Sequence, residues 1–186
     1  MSSPAAARGH EVRKRLLAAA VELIPERGWT AVSTRVLAER AGVSPSVVHY
    51  HFPSLPALLN EAVVGLMRQV LAQADASWDA ERTPAEAVDA MLAAVDRYTG
   101  ADRMSLLFVE AYLAATRDER LREQLSGVVE EFRQRLGSWL REHGVPAPDE
   151  TAAVLVAAVD GLLLHRGLGG PGTGAVATVL HRLVGT

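Results

Sequence analysis

The sequence predicts an all-α protein of about nine helices, and three observations carry that reading. Apolar residues recur at steps of three and four through nearly the whole chain, and no stretch shows the strict alternation of a half-buried strand. The breakers (Gly28, Gly42, Phe52-Pro53, Gly100, Gly144 and the glycine-rich run at 167–174) fall at helix-length intervals.

Taken in order, residues 11–26 put Val12, Leu16, Ala19, Ala20, Leu23 and Ile24 on one face, with Arg13, Lys14 and Glu22 elsewhere. This amphipathic helix should stop near Gly28, which can take the left-handed conformation. Ser33 and Thr34 offer hydroxyls to cap a short second helix ending at Gly42. Ser44 followed by Pro45 starts a third: the serine should accept a bond from an orphan amide, and proline at the first helical position loses no needed donor. Phe52-Pro53-Ser54 ends it, and Ser54 can cap the next. From 55 to 78 the apolar face holds for the whole run, a helix about 36 Å long and long enough to link two domains. Thr83-Pro84-Ala85-Glu86 reads as a capping box opening a helix toward Tyr98, closed by Gly100. Residues 103–116 and 118–143 read as two more, the second charged on its outer face. Residues 144–148 make a stiff proline-containing connection. Residues 151–164 are apolar almost all round; 167–174, with five glycines and a proline, read as a loop; and 175–183 repeat the helical spacing.

Composition narrows the function. With no cysteine, disulfide frameworks, thiolate metal sites and cysteine nucleophiles are excluded, which fits a reducing cytoplasm. The start lacks the pattern of a secretory signal, and no apolar run is expected to span a bilayer, so a cytoplasmic protein is expected. The formal net charge is −3, but residues 1–60 carry seven Lys or Arg against four Asp or Glu, and the remainder twelve against eighteen. A mildly basic head on an acidic body fits a DNA-reading module joined to a second domain.

Three short helices in the first 52 residues, the second and third separated by Ala41-Gly42-Val43-Ser44, are a helix-turn-helix arrangement. Ala38 is small where the helices must cross, and Val43 and Val48 are apolar where the unit packs on the first helix. Pro45, Ser46, Val47, His49 and Tyr50 then lie on or beside the outward face of a helix too short to be explained by core packing. His49 and His51, two residues apart on a helix, diverge by about 200° and cannot share a metal ion. No metal and no cofactor is expected.

The run Ser33-Thr34-Arg35-Val36-Leu37-Ala38-Glu39-Arg40-Ala41-Gly42-Val43-Ser44, with Tyr50-His51-Phe52 after it, resembles the DNA-binding domain of TetR-type regulators. The resemblance covers about residues 10–60; the rest of the chain is similar in length and helix layout. It implies a helix-turn-helix domain over 1–53 and a ligand-binding and dimerisation domain over 54–186. By position, it implies that Ser33, Thr34 and Ser44 touch phosphates, that Ser46, Val47 and Tyr50 face base edges, and that His49 and His51 reach the DNA backbone; Arg35 and Pro45 complete the predicted surface. Two departures stand out: His49 replaces the family's usual tyrosine, and Leu55 its usual lysine. The lost phosphate contact should weaken non-specific binding unless Arg8, Arg13 or Arg35 replaces it.

The apolar stretch 151–164 needs burial on two faces. One can pack within its own domain and the other against a second copy, together with the helix near 176–183; in the resemblance this pair makes a four-helix dimer interface. Ala152, Ala153, Ala157 and Gly161 permit close approach, and Leu164, Val176, Val179, Leu180 and Leu183 supply apolar area. Two recognition helices reach successive major grooves only when about 34–36 Å apart. The resemblance implies that a ligand moves the long fourth helix and alters that spacing. The pocket is expected between the fourth and eighth helices. Met67, Leu71, Trp78, Met91, Tyr98 and Met104 are candidates for its lining, as are Phe108, Tyr112, Phe132 and Trp139, because aromatics and methionine form adaptable apolar cavities. Glu110 and Asp160 are candidates for a polar ligand group, with an ion pair to His165 or Arg166, or plain exposure, the alternatives for Asp160.

No nucleophile–base pair, metal cluster or phosphate loop suggests an enzyme; Gly167-Leu168-Gly169-Gly170 lacks the preceding strand that a dinucleotide loop needs. The expected function is a DNA-binding regulator, in the usual sense of the resemblance a repressor that binds a palindromic operator as a homodimer and is released by a small, largely apolar effector. A helical dimer that binds ligand or scaffolds without DNA is the alternative.

Overall fold

The computed structural model describes residues 4–75 and 83–185. Among the described residues there are nine α-helices, one 3-10 turn and no strand: α1 (Pro4–Arg27), the 3-10 turn Trp29–Ala31, α2 (Thr34–Ala41), α3 (Pro45–His51), α4 (Leu55–Asp75), α5 (Pro84–Asp96), α6 (Arg103–Ala115), α7 (Glu119–Glu142), α8 (Pro148–Arg166) and α9 (Thr173–Val184). The all-α expectation is met element by element, with shifted ends. α1 begins before residue 11, α8 reaches back to Pro148 and on to Arg166, and α9 takes in the end of the glycine-rich run. Local amide and carbonyl partners fix such ends, and periodicity alone does not show them.

The chain folds as two compact units, Met1–Leu66 with Leu106–Arg122 and Met67–Ser105 with Glu123–Thr186. In the first, α1 buries Leu16, Ala20, Leu23 and Ile24; α2 buries Leu37, Ala38 and Ala41; α3 buries Val48. Leu58, Leu59, Ala62 and Val63 of α4 are buried as well, as are Leu107, Ala111 and Ala115 of α6. Each set follows the three-and-four spacing of one helix face. The second unit has a core of Val88, Leu92 and Val95 from α5, Phe132, Leu136 and Leu140 from α7, Ala152, Leu155, Val156 and Leu162 from α8, and Leu180 and Val184 from α9.

The capping chemistry is mostly as the residue types dictate. Ser33 accepts from the Val36 amide at 3.3 Å, and Ser54 from the Ala57 amide at 3.2 Å. Thr83 and Glu86 close a reciprocal capping box. Gly42 ends α2 at φ 65°, a conformation that a side chain would disfavour, and the chain turns there into α3. Ser44 is a correction. It occupies the N-cap position of α3 but makes no side-chain cap; its Oγ lies 2.8 Å from the Ser46 hydroxyl instead. Another concerns α4: Leu55–Ala74 has a mean hydropathy of 1.2 and is long and apolar enough to cross a membrane. The same stretch carries Glu61 and Arg68, and its buried Leu58, Leu59 and Val63 belong to the core of the first unit.

Candidate nucleic-acid interface

α3 is little buried for a helix of the first unit. Only Val48 of its seven residues is buried, while Val47 and His51 are half-buried and Pro45, Ser46, His49 and Tyr50 are exposed. Tyr50 is 85% exposed, the ring meeting His51 edge-on with centroids 5.1 Å apart. Ser33 and Arg35 at the start of α2 are exposed, Thr34 is half-buried, and Ser44 is exposed just before α3. Seven of the ten predicted contact residues (Ser33, Thr34, Arg35, Ser44, Pro45, Ser46 and Val47) fall at the N-terminal ends of α2 and α3, where unpaired backbone amides favour an anion, while His49, Tyr50 and His51 lie at the C-terminal end of α3.

The cations around this surface are unequally available. Arg13, a proposed substitute for the missing lysine, is committed: its guanidinium pairs with Glu61 of α4 and lies 4.6 Å from the centroid of the Phe52 ring. Arg40 bridges Glu26 at 2.7 Å and Glu22 at 3.0 Å, and these hydrogen bonds, Glu26's first, hold its pKa above the usual arginine value. Arg8, Lys14 and Arg35 are exposed. Leu55 is half-buried at the start of α4 and contributes no charge.

Several body residues stand elsewhere than expected. Leu71, Met91, Phe132 and Trp139 pack in or against the core of the second unit. Met67, Tyr98 and Met104 are half-buried, and Trp78 lies outside the described residues. Phe108 is half-buried in the first unit, and Tyr112 is corrected: it is 67% exposed rather than enclosed. The Glu110 carboxylate, half-buried, accepts the Trp29 amide at 2.7 Å. Sequence reasoning missed this contact, and with the partners 81 positions apart no local signal could reveal it. Nor does Asp160 pair with Arg166, whose guanidinium donates to the Val95 and Tyr98 carbonyls and to Asp96.

On α8 and α9, Ala157 is exposed, as are Val154 (49%), Leu164 (44%) and Val179 (56%), while Ala153 and Gly161 are half-buried. Val176 and Leu183 are half-buried against the core. Ala152 and Leu180 are corrections, at 0% and 5% exposure, because each faces its own unit. A helix apolar on every side does not itself disclose which face is inward.

Two α-helices joined by a glycine turn, the second exposed and opened by Pro45, define a helix-turn-helix protein. A family model described as "Bacterial regulatory proteins, tetR family" matches residues 16–62, and one described as "Tetracyclin repressor-like, C-terminal domain" matches residues 82–186. The chain is 33% identical over 162 residues to the HTH-type transcriptional regulator BetI of Rhizobium meliloti, covering 84% of this chain and 78% of the relative. Among solved structures, it resembles a transcriptional regulator of Streptomyces coelicolor A3(2), with 31% identity, a TM-score of 0.77, and coverage of 95% of this chain and 99% of that one. It also resembles the multidrug binding protein EbrR, solved in complex with proflavin, with 29% identity, a TM-score of 0.64, and coverage of 92% and 99%. The chain belongs to the TetR family and is a DNA-binding transcriptional regulator, not an enzyme.

Proposed function

We propose that this chain is a homodimeric repressor: its two α3 helices enter successive major grooves of a palindromic operator, and a small, largely apolar effector held by residues 54–186 releases it. The observation that carries the DNA reading is α3 itself. A seven-residue helix with one buried side chain and a tyrosine 85% exposed is poorly explained by the fold's own core. Ser46, Val47 and Tyr50 are then the base-reading side chains. Ser33, Thr34, Arg35 and Ser44 contact phosphates, with Pro45 starting the helix; His49 and His51 reach the DNA backbone. With Arg13 tied to Glu61, the charge that Leu55 lacks is supplied by Arg35 and Arg8.

The pairing reading rests on the outward stripe of α8 and α9, where Ala157, Leu164 and Val179 leave apolar area facing solvent beside Ala153 and Gly161. Such a stripe, used identically by two copies, gives the two-fold axis that a palindrome requires. The effector reading draws on the likeness to EbrR, which was solved with proflavin, and on the half-buried Met67, Leu71 and Met91.

The test starts from duplexes selected from a random-sequence pool by the purified protein and read by fluorescence anisotropy. The expected result is saturable binding by two chains per duplex, weakening steeply with added salt. Equal affinity for selected and scrambled duplexes would overturn the reading. Proflavin serves as the first effector probe, expected to raise the melting temperature and lower affinity for the selected duplex.

A further inference from the structure

The turn between α1 and α2 is held from outside the helix-turn-helix. Trp29 opens the 3-10 turn Trp29–Ala31, so its amide is an orphan donor at a helical start. The acceptor is the Glu110 carboxylate of α6, at 2.7 Å. Both carboxylate oxygens also lie 3.7 Å from where a side chain on Gly28 would begin, an ordinary contact distance that places the carboxylate over the turn, and the φ of +83° there favours glycine. Two residues after the turn, Ser33 caps α2, and α2 leads through Gly42 into α3. Displacing the turn therefore displaces the reading helices together.

A second bond ties the neighbouring stretch of chain to the same unit. Asn60 of α4, 4% exposed, donates to Asp118 at 3.1 Å, and Asp118 in turn accepts the Leu121 amide at the start of α7. The Leu121 amide first, and then Asn60, hold the Asp118 carboxyl below the usual range. Residues 106–122 thus grip the head at the α1–α2 turn and at α4. α4, α6 and α7 each contribute residues to both compact units.

We propose that Glu110 is a positioning residue for operator recognition: by accepting the Trp29 amide it sets the turn from which α2 and α3 depart, making operator affinity depend on a carboxylate 59 residues beyond the end of α3. This rests on the DNA reading above. A carboxylate-to-amide bond is charge-assisted, about twice as strong as a neutral one, so replacing the acceptor should register even though the partners stay folded.

Full-length protein with Glu110→Leu and Glu110→Gln tests it, using the duplex selected by the wild type, a scrambled duplex, and amide exchange of 15N-tryptophan-labelled chains. The leucine variant should bind the selected duplex about ten-fold more weakly, about 1.4 kcal/mol, with its affinity for the scrambled duplex within two-fold and its Trp29 amide exchanging faster. Glutamine keeps a carbonyl acceptor and should restore binding to within about three-fold. Unchanged selected-duplex affinity in a folded leucine variant whose Trp29 amide has lost protection overturns the inference and leaves the DNA reading intact. Equal losses on both duplexes also overturn it, because they indicate damage to the head as a whole. Should the leucine variant not fold, the glutamine variant decides: a two- to three-fold loss supports the inference, and wild-type affinity with faster Trp29 exchange rejects it. A wild type that selects no duplex sinks both readings.

Discussion

Tyr50 illustrates how a single side chain separates recognition from stability. It is 85% exposed and its ring stands perpendicular to that of His51, so Tyr50→Ala should leave the melting temperature within about 2 °C of the wild type, since exposed substitutions shift stability little. If Tyr50 faces bases as proposed, the same change should cost about ten- to a hundred-fold in affinity for the selected duplex, with little loss on a scrambled one. Unchanged discrimination in anisotropy would show that α3 is not the reader. Asp160 carries a different signature. It is exposed on α8, yet burial by the surrounding protein pushes its carboxyl up to about 6, with no hydrogen bond or charge contributing. The folded chain therefore holds this proton more tightly than the unfolded chain, whose aspartate titrates near about 3.9. The stabilisation is complete below that value and is lost as pH rises through about 6. Relative to wild type, Asp160→Asn should gain stability as pH rises from about 4 to about 7, read as the difference between two series of thermal melts; a difference that does not change with pH would contradict the burial.

Helix ends in the second unit are joined by one cation. Arg166, in the last turn of α8, donates to the Val95 carbonyl at 2.5 Å and the Tyr98 carbonyl at 3.0 Å, where α5 ends, and pairs with Asp96. Asp96 also accepts the Thr173 hydroxyl at 2.8 Å, in the first turn of α9, and Arg166 first and Thr173 second hold its carboxyl below the usual range. Three helices thus share one polar joint. Arg166→Ala leaves two carbonyls without this donor and should cost about 1–3 kcal/mol, measured by urea unfolding. Lysine should not restore it, because a single ammonium does not reproduce the planar fork that reaches two carbonyls and a carboxylate at once. Full recovery by lysine would reduce the joint to a simple charge effect.

For the whole molecule, the proposed homodimer has to hold two reading heads at the spacing of one DNA turn. The outward residues of α8 and α9 are the available means, and Ala157 lies exposed among them. Ala157→Glu places a carboxylate where two copies would have to desolvate it twice. It should yield monomers in sedimentation equilibrium, with the helical circular dichroism retained and affinity for a palindromic duplex reduced to that of a half-site. A dimer of unchanged mass would move the interface elsewhere on the chain.

Fold class, most helix positions and the helix-turn-helix were legible in the residues, because periodicity, Ser33 and Thr83 caps, Gly42 and Ser44-Pro45 act over a few positions of chain. Periodicity also left Val48 as the inward residue of α3. What residues far apart do to one another was not legible. Glu110 reads as a polar group beside aromatics, and only folding brings it to the Trp29 amide. Ala152 and Ala157 are chemically identical on a helix apolar all round, and packing alone sends the first inside and leaves the second exposed. Arg13 looks like a free cation until Glu61 and Phe52 converge on it. Local chemistry set the elements; side-chain direction and long-range pairing, which depend on the neighbours each element meets, were decided by the tertiary structure.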